Sequence, residues 1–195
     1  MSAGNGEAGR GAKPAAPRLF IAVPAAPDVR CAAAGIIAEL RSAGADCSWV
    51  APGNLHITLR FLGATPADRF PEVETLLLEA AQRPAFELGF GGLGVFASWE
   101  QPKVLWLGVL RGAAELCAMA AALGPPEAGR PFSAHLTFGR LRSRRNLERL
   151  RQTAASARLP DMSQRVDKLV LYESRLTPQG AVYTALREAA LLAAG

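Results

Sequence analysis

The chain contains two histidines, and each opens the same four-residue pattern: His56-Ile57-Thr58-Leu59 and His135-Leu136-Thr137-Phe138. Alternation of polar and apolar residues has the period of a β-strand, on which successive side chains point to opposite faces. Each motif is therefore predicted to be a strand with His and Thr on one face and its two apolar residues on the other. The apolar face packs a core, and the polar face borders an opening. With seven threonines in the chain, a threonine two places after both histidines arises by chance roughly once in eight hundred sequences of this composition.

The remaining pattern surrounds these strands with short helices and further strands. The apolar run 19–23 closed by Pro24 predicts a strand, Asp28 is predicted to cap a helix reaching Ser42, and Gly44 ends it. A brief strand over 47–50 precedes the first motif strand, 55–62, and a helix is expected over 66–81 with Pro66 in its first turn. Segments 86–96 and 104–109 read as a strand pair and 112–123 as a helix. The second motif strand is expected over 132–139, a helix over 144–158, and strands over 166–173 and 181–186 joined by a turn at Gln179-Gly180. The two halves repeat one order of elements. Helices interleaved with turn-linked strands predict an α+β fold with largely antiparallel sheets rather than a doubly wound parallel sheet.

Half of the 195 residues are hydrophobic, enough for one sizeable domain or two small lobes sharing a core, and residues 18–195 are read as that unit. Residues 1–17 are Ala, Gly and Pro with scattered charges and are read as a disordered tail that cannot serve as a secretory signal. No segment has the uninterrupted apolar length of a membrane span. Cys31, Cys47 and Cys117 are odd in number and form no C-x-x-C pair, which argues for a reducing cytoplasm over a disulfide framework or zinc site. All three are expected to be small buried apolar residues. A net charge of +5 favours an anionic partner such as RNA or a phosphorylated small molecule, and a monomer is expected.

Two imidazoles and two hydroxyls facing one space suffice to open a cyclic phosphodiester without metal or cofactor. One histidine takes a proton from water and the other protonates the departing ribose oxygen, opposite states that imidazole supplies near neutral pH. Thr58 and Thr137 would hold the nonbridging oxygens.

These residues resemble those of the two-histidine phosphoesterases, specifically the RNA 2′,3′-cyclic phosphodiesterases also called 2′-5′ RNA ligases. The resemblance runs through Arg18 to Val23, Asn54 to Gly63, Val104 to Gly108, Arg130-Pro131-Phe132 through Arg140, and Leu171-Tyr172-Glu173-Ser174 with Gly180 and Tyr183. Ala134 stands where the family usually has proline. The resemblance implies a bilobal, pseudo-twofold fold, two sheets flanked by helices with the site in the cleft between the lobes. It also implies hydrolysis of 2′,3′-cyclic phosphate ends to 2′-phosphomonoesters, with His56 as proton donor and His135 as acceptor. RNA ends or cyclic nucleotides are the implied partners. Arg140 and Phe61 match family positions suited to phosphate and base. Both sit five residues after their histidine, the wrong parity for a regular strand. A bulge at Gly139 or a strand end would re-aim Arg140, and Phe61 has the core as its alternative.

Gly89 to Gly94 satisfies a G-x-G-x-x-G pattern, but no helix follows it, and glycine-rich strand packing is the better reading. No nucleophile elbow surrounds Ser133, and Trp49, Trp99 and Trp106 are assigned no function. The stretch Arg140, Arg142, Arg144, Arg145, Arg149 and Arg151 is relieved only by Glu148. Two other functions use the same residues: an RNA or nucleotide binding module without turnover, and ATP-independent 2′-5′ ligation of RNA ends.

Overall fold

The computed structural model describes residues 16–125, 131–178 and 180–193. The apolar run 19–23 lies within β1 (Arg18–Pro24), where Leu19, Ile21 and Val23 join the main core, while Phe20 and Ala22 are buried on the other side of the strand. Helix α1 (Pro27–Arg41) follows and buries Val29, Ala33, Ile36, Ile37 and Leu40, a stripe at helical spacing. Then come β2 (Cys47–Trp49), β3 (His56–Ala64), α2 (Phe70–Ala80), β4 (Phe86–Phe96), β5 (Val104–Arg111) and α3 (Ala113–Ala122). The chain ends through β6 (His135–Leu141), α4 (Leu147–Ser156), β7 (Met162–Val166), β8 (Lys168–Thr177) and β9 (Gly180–Ala190).

The strands form two antiparallel sheets, one ordered β3-β1-β8-β9 and the other β2-β6-β5-β4-β7. Setting β2 aside, the two orders correspond strand for strand: β3 to β6, β1 to β5, β8 to β4 and β9 to β7. The fold is α+β and two-lobed, and β3 touches β6 where the sheets meet. The lobes are not consecutive halves of the chain. Strand β2 joins the sheet of the second motif, and β8 and β9 return to that of the first. Helix α1 packs on α4 and β7, α2 on β8 and β9, and α3 touches β3 and β5. The apolar sheet faces and the buried helix stripes merge into one core. The His and Thr faces of β3 and β6 lie on the other side of each sheet.

Several boundaries differ from the sequence expectation for identifiable reasons. Asp28 lies in the first turn of α1 and does not cap it; Pro27 starts the helix and Ala26 is its N-cap. Pro66 precedes a short 3-10 turn at Ala67–Arg69, and Pro71 is the first-turn proline of α2. Strand β6 begins at His135 rather than 132. Helix α4 begins at Leu147 rather than 144, because Asn146 is left-handed (φ 54°) and donates from Nδ2 to the Gly44 carbonyl at 2.9 Å. The strand expected over 166–173 is β8, which starts at Lys168, and it is preceded by the unexpected β7, which ends at Val166 and alternates buried and exposed residues. Cys31 and Cys117 are exposed rather than buried. Half-buried Cys47 has its thiol pushed up to about 11 by burial, with Arg142 and Arg41 opposing and Asp46 adding to the rise. Residues 1–15 of the expected tail and Gln179 of the expected turn lie outside the described residues, while the Pro17 carbonyl accepts from the Thr65 N–H at 2.9 Å.

Gln164 explains why β7 escaped notice: a polar residue occupies an inward position of the strand. It is 8% exposed, its Oε1 accepts from the Ala26 N–H at 2.8 Å, and its Nε2 donates to the Pro24 carbonyl at 3.0 Å. A residue of one sheet thus satisfies both main-chain groups at the exit of β1, in the other sheet. Gln164→Ala leaves them without that partner and is expected to lower the unfolding free energy by about 1–3 kcal/mol, read from urea denaturation.

Candidate active site

In β3 the pairing with β1 sets His56 opposite Pro24 and Thr58 opposite Ala22, then slips by one residue so that Arg60 faces Ile21 and Phe61 faces Phe20. In β6 the pairing with β5 sets His135 opposite Gly108 and Thr137 opposite Trp106, then slips so that Gly139 faces Leu105 and Arg140 faces Val104. The extra residues are Leu59 and Phe138, the apolar residue immediately after each threonine, and both are buried in the core. A bulge inserts one residue and reverses the alternation beyond it. Phe61 and Arg140 are thereby turned onto the faces that carry the histidines. Phe61 is not a core residue: it is 50% exposed, with its ring 5.9 Å from that of Phe20.

Both imidazoles are held alike. His56 Nδ1 lies 2.7 Å from the Asn54 carbonyl oxygen and His135 Nδ1 lies 2.7 Å from that of Ser133. A carbonyl only accepts, so each Nδ1 carries the proton and each Nε2 of a neutral ring is left as the acceptor. His56 Nε2 is 3.0 Å from the Thr58 hydroxyl, which donates to it. His135 Nε2 has no such partner among the described residues. The Asn54 side chain also donates to the Ala181 carbonyl at 2.8 Å, tying the start of β9 to the first motif.

Aromatic rings wall both sides. Around His56 stand Phe20 at 4.9 Å, Tyr183 at 5.2 Å edge-on and Tyr172 at 6.3 Å between centroids. Beside His135 stands Phe96 at 4.9 Å, edge-on, with Trp106 behind it at 5.3 Å from Phe96. The glycine-rich strand has its explanation here, since a side chain at Gly94 would run into the Trp106 ring. Gly139 likewise leaves room for Cys47 of β2.

Electrostatics link the two motifs. Burial lowers the His56 pKa from its ordinary value, the Asn54 carbonyl opposes this, and the charge of His135 lowers it further. Burial also lowers that of His135, with the Ser133 carbonyl opposing and the Arg140 guanidinium adding to the fall. Burial raises the Tyr183 phenol and Arg140 opposes it. Arg140 of one lobe therefore acts on Tyr183, which lies against His56 in the other. All six residues singled out in the sequence, His56, Thr58, Phe61, His135, Thr137 and Arg140, lie on the two cleft-facing surfaces. Among the described residues no cluster of three or more His, Cys, Asp or Glu could hold a metal ion. No helix among them is long and apolar enough to cross a membrane.

The sequence pattern of the family described as LigT-like phosphoesterase matches residues 23–106 and 109–183. The chain belongs to this family. It is 34% identical over 178 residues to the RNA 2′,3′-cyclic phosphodiesterase of Archaeoglobus fulgidus, covering 87% of this chain and 98% of that protein. It is 30% identical over 177 residues to the protein of the same name from Methanothermobacter thermautotrophicus, covering 86% and 95%. Among solved structures, Escherichia coli LigT complexed with 3′-AMP superposes with a TM-score of 0.68 at 27% identity, covering 91% of this chain and 98% of that one.

Sequence reasoning about this LigT-like chain passes over Phe20, Tyr172, Tyr183 and Phe96 as site walls and reads Trp106 as a core or cleft-wall anchor without a function of its own. Phe20 sits in an all-apolar run that has no alternation to reveal its outward face. Tyr172 and Tyr183 fall in segments that carried the resemblance, and this was the available signal. The Asn54 and Ser133 roles are played by main-chain carbonyls, which leave no side-chain signature.

Titration of the imidazole resonances by NMR is expected to give both histidines pKa values below the ordinary ~6.5. Since each binds its proton more weakly folded than unfolded, the unfolded chain holds more protons around pH 6. Their contribution to stability is thus fully present above ~6.5 and is lost as pH falls through the folded values.

Proposed function

We propose that this chain hydrolyses the 2′,3′-cyclic phosphate ends of RNA, or related cyclic nucleotides, to 2′-phosphomonoesters by metal-independent acid-base catalysis. The observation that carries this reading is the matched pair of imidazoles, each with Nδ1 engaged by a carbonyl so that Nε2, which at His56 accepts from the Thr58 hydroxyl, is the nitrogen left to exchange a proton. The names of the relatives from Archaeoglobus fulgidus and Methanothermobacter thermautotrophicus support it. So do the complexes of Escherichia coli LigT with 3′-AMP, ATP and phosphate.

His135 is the proton acceptor and His56 the donor. The cation of Arg140 disfavours an imidazolium at His135, which keeps its unpartnered Nε2 lone pair available. His56 lies instead against the face of Phe20, inclined at 33°, a surface that tolerates a cation. A water molecule yields its proton to His135 Nε2 as its oxygen bonds to phosphorus, the P–O3′ bond breaks in line, and His56 Nε2–H protonates the leaving O3′. Thr58, Thr137 and Arg140 hold the nonbridging oxygens, and Phe61 with the neighbouring rings receives the nucleobase. Nothing in this cycle calls for a cofactor. The three free thiols fit a reducing cytoplasm.

Incubating an RNA ending in 2′,3′-cyclic phosphate with the enzyme and EDTA is expected to yield a 2′-phosphate product. His56→Ala and His135→Ala are each expected to reduce turnover about 10²- to 10⁴-fold. Wild-type turnover in either variant, or inhibition by EDTA, sinks the reading. One histidine must be charged and the other neutral, and both titrate low, so kcat/KM is expected to be bell-shaped with both limbs below ~6.5. Binding without product would favour a non-catalytic module, and a predominance of joined over hydrolysed ends with paired RNA halves would favour ligation.

A further inference from the structure

Seven arginines and one glutamate lie between positions 140 and 158, so this short segment carries more positive charge than the +5 of the whole chain, and the rest is slightly acidic. Arg140, Arg142, Arg144, Arg145, Arg149 and Arg151 are all exposed. The ion pairs among the described residues involve Arg69, Lys168, Arg175 and Arg187 and none from this segment. Arg151 lies near Glu100, and Glu148 is engaged by Gln152, whose Nε2 donates to it at 3.1 Å. Among the described residues, Arg144, Arg145 and Arg149 form no ion pair.

These cations are held on an ordered path. Strand β6 carries the chain from His135 to Arg140, and the Arg142 N–H donates to the Asp46 carbonyl at 2.9 Å, extending the ladder with β2. The turn beyond is fixed by the Arg145 N–H on the Ser143 hydroxyl at 3.3 Å, the Leu147 N–H on the Arg144 carbonyl at 3.3 Å, and the Asn146 side chain on Gly44. Rigidly placed like charges repel, and a polyanion relieves that repulsion. Arg140 is the last cation of β6, and from His135 to Arg142 the chain runs about 23 Å at ~3.3 Å per residue, so residues 142–149 lie beyond the reach of a mononucleotide seated at His135. The aromatic rings around His56 meanwhile mark the other side of the cleft as the place for a base.

We propose that the arginine surface running from Arg140 over residues 142–149 is a track for the phosphate backbone of an RNA whose terminal cyclic phosphate lies between His56 and His135. This rests on the phosphodiesterase reading and makes the substrate a polymer, since a mononucleotide ending at the cleft cannot use the track. Phosphate contacts of this kind hold the strand without reading its sequence.

The test compares wild type with R144Q/R145Q/R149Q on two substrates, a nucleoside 2′,3′-cyclic monophosphate and a ten-nucleotide RNA with a cyclic end, from 50 to 200 mM KCl. Each lost single-strand phosphate contact flattens the log–log salt slope by about 0.7, so wild-type kcat/KM on the oligonucleotide should fall roughly 15- to 20-fold more than the variant's over that range. Turnover of the mononucleotide is expected to be equal in the two proteins, and R144K/R145K/R149K is expected to restore most of the oligonucleotide rate. An unchanged slope overturns the track, as does an equal loss on both substrates. If neither substrate is turned over, the phosphodiesterase reading fails by itself. The track is then judged by fluorescence anisotropy with a 2′-phosphate-ended oligonucleotide, which must bind wild type with the steeper slope. Binding of a polyglutamate peptide with no binding of RNA would assign the surface to a protein partner and end the proposal.

Discussion

A neutral imidazole has a single proton, and in both motifs it is committed to a main-chain carbonyl two residues upstream. That commitment fixes the ring orientation and leaves the distal nitrogen of each neutral ring as its acceptor. The rest of the site is arranged around this choice. Asn54 and Ser133 precede the strands, so the anchoring carbonyls belong to the entry turns, while the threonines two residues later share the exposed face.

The second constraint is the displaced pairing after each threonine. Without it, Arg140 and Phe61 would point into the core, where an unpaired guanidinium is costly and a ring could meet no ligand. Burial of Leu59 and Phe138 supplies the apolar anchor that holds each irregularity in place. Corresponding positions of the two lobes have diverged around this shared frame: an aromatic in one stands where a cation is in the other, and Ala22 stands where the partner strand has Trp106.

Much of this was legible in the amino-acid sequence, and for specific reasons. Alternation identified both motif strands and the faces of all four motif residues, because one face of each is buried and the other is not. The bulges were legible only as a parity conflict at Arg140 and Phe61, whose resolution depends on the register with β1 and β5. Strand β7 was missed because Gln164 fills an inward position with an amide, which is satisfied by distant main-chain groups rather than by apolar packing. The crossing of β2 into the far sheet was not legible at all, since three residues carry too little pattern to choose a partner. The arginine cluster was plain, whereas the lack of ion pairs at Arg144, Arg145 and Arg149 among the described residues is a property of the fold.

The exchange of strands between lobes bears on how the molecule comes to be made. Among the described residues the sheet that holds His56 is completed by β8 and β9, whereas the sheet that holds His135 needs nothing beyond β7. During synthesis the wall formed by Tyr172 and Tyr183 is therefore the last part of the cleft to arrive. The first motif is therefore fully walled only once β9 has been made, and a translation product that stopped before it would lack that side of the cleft.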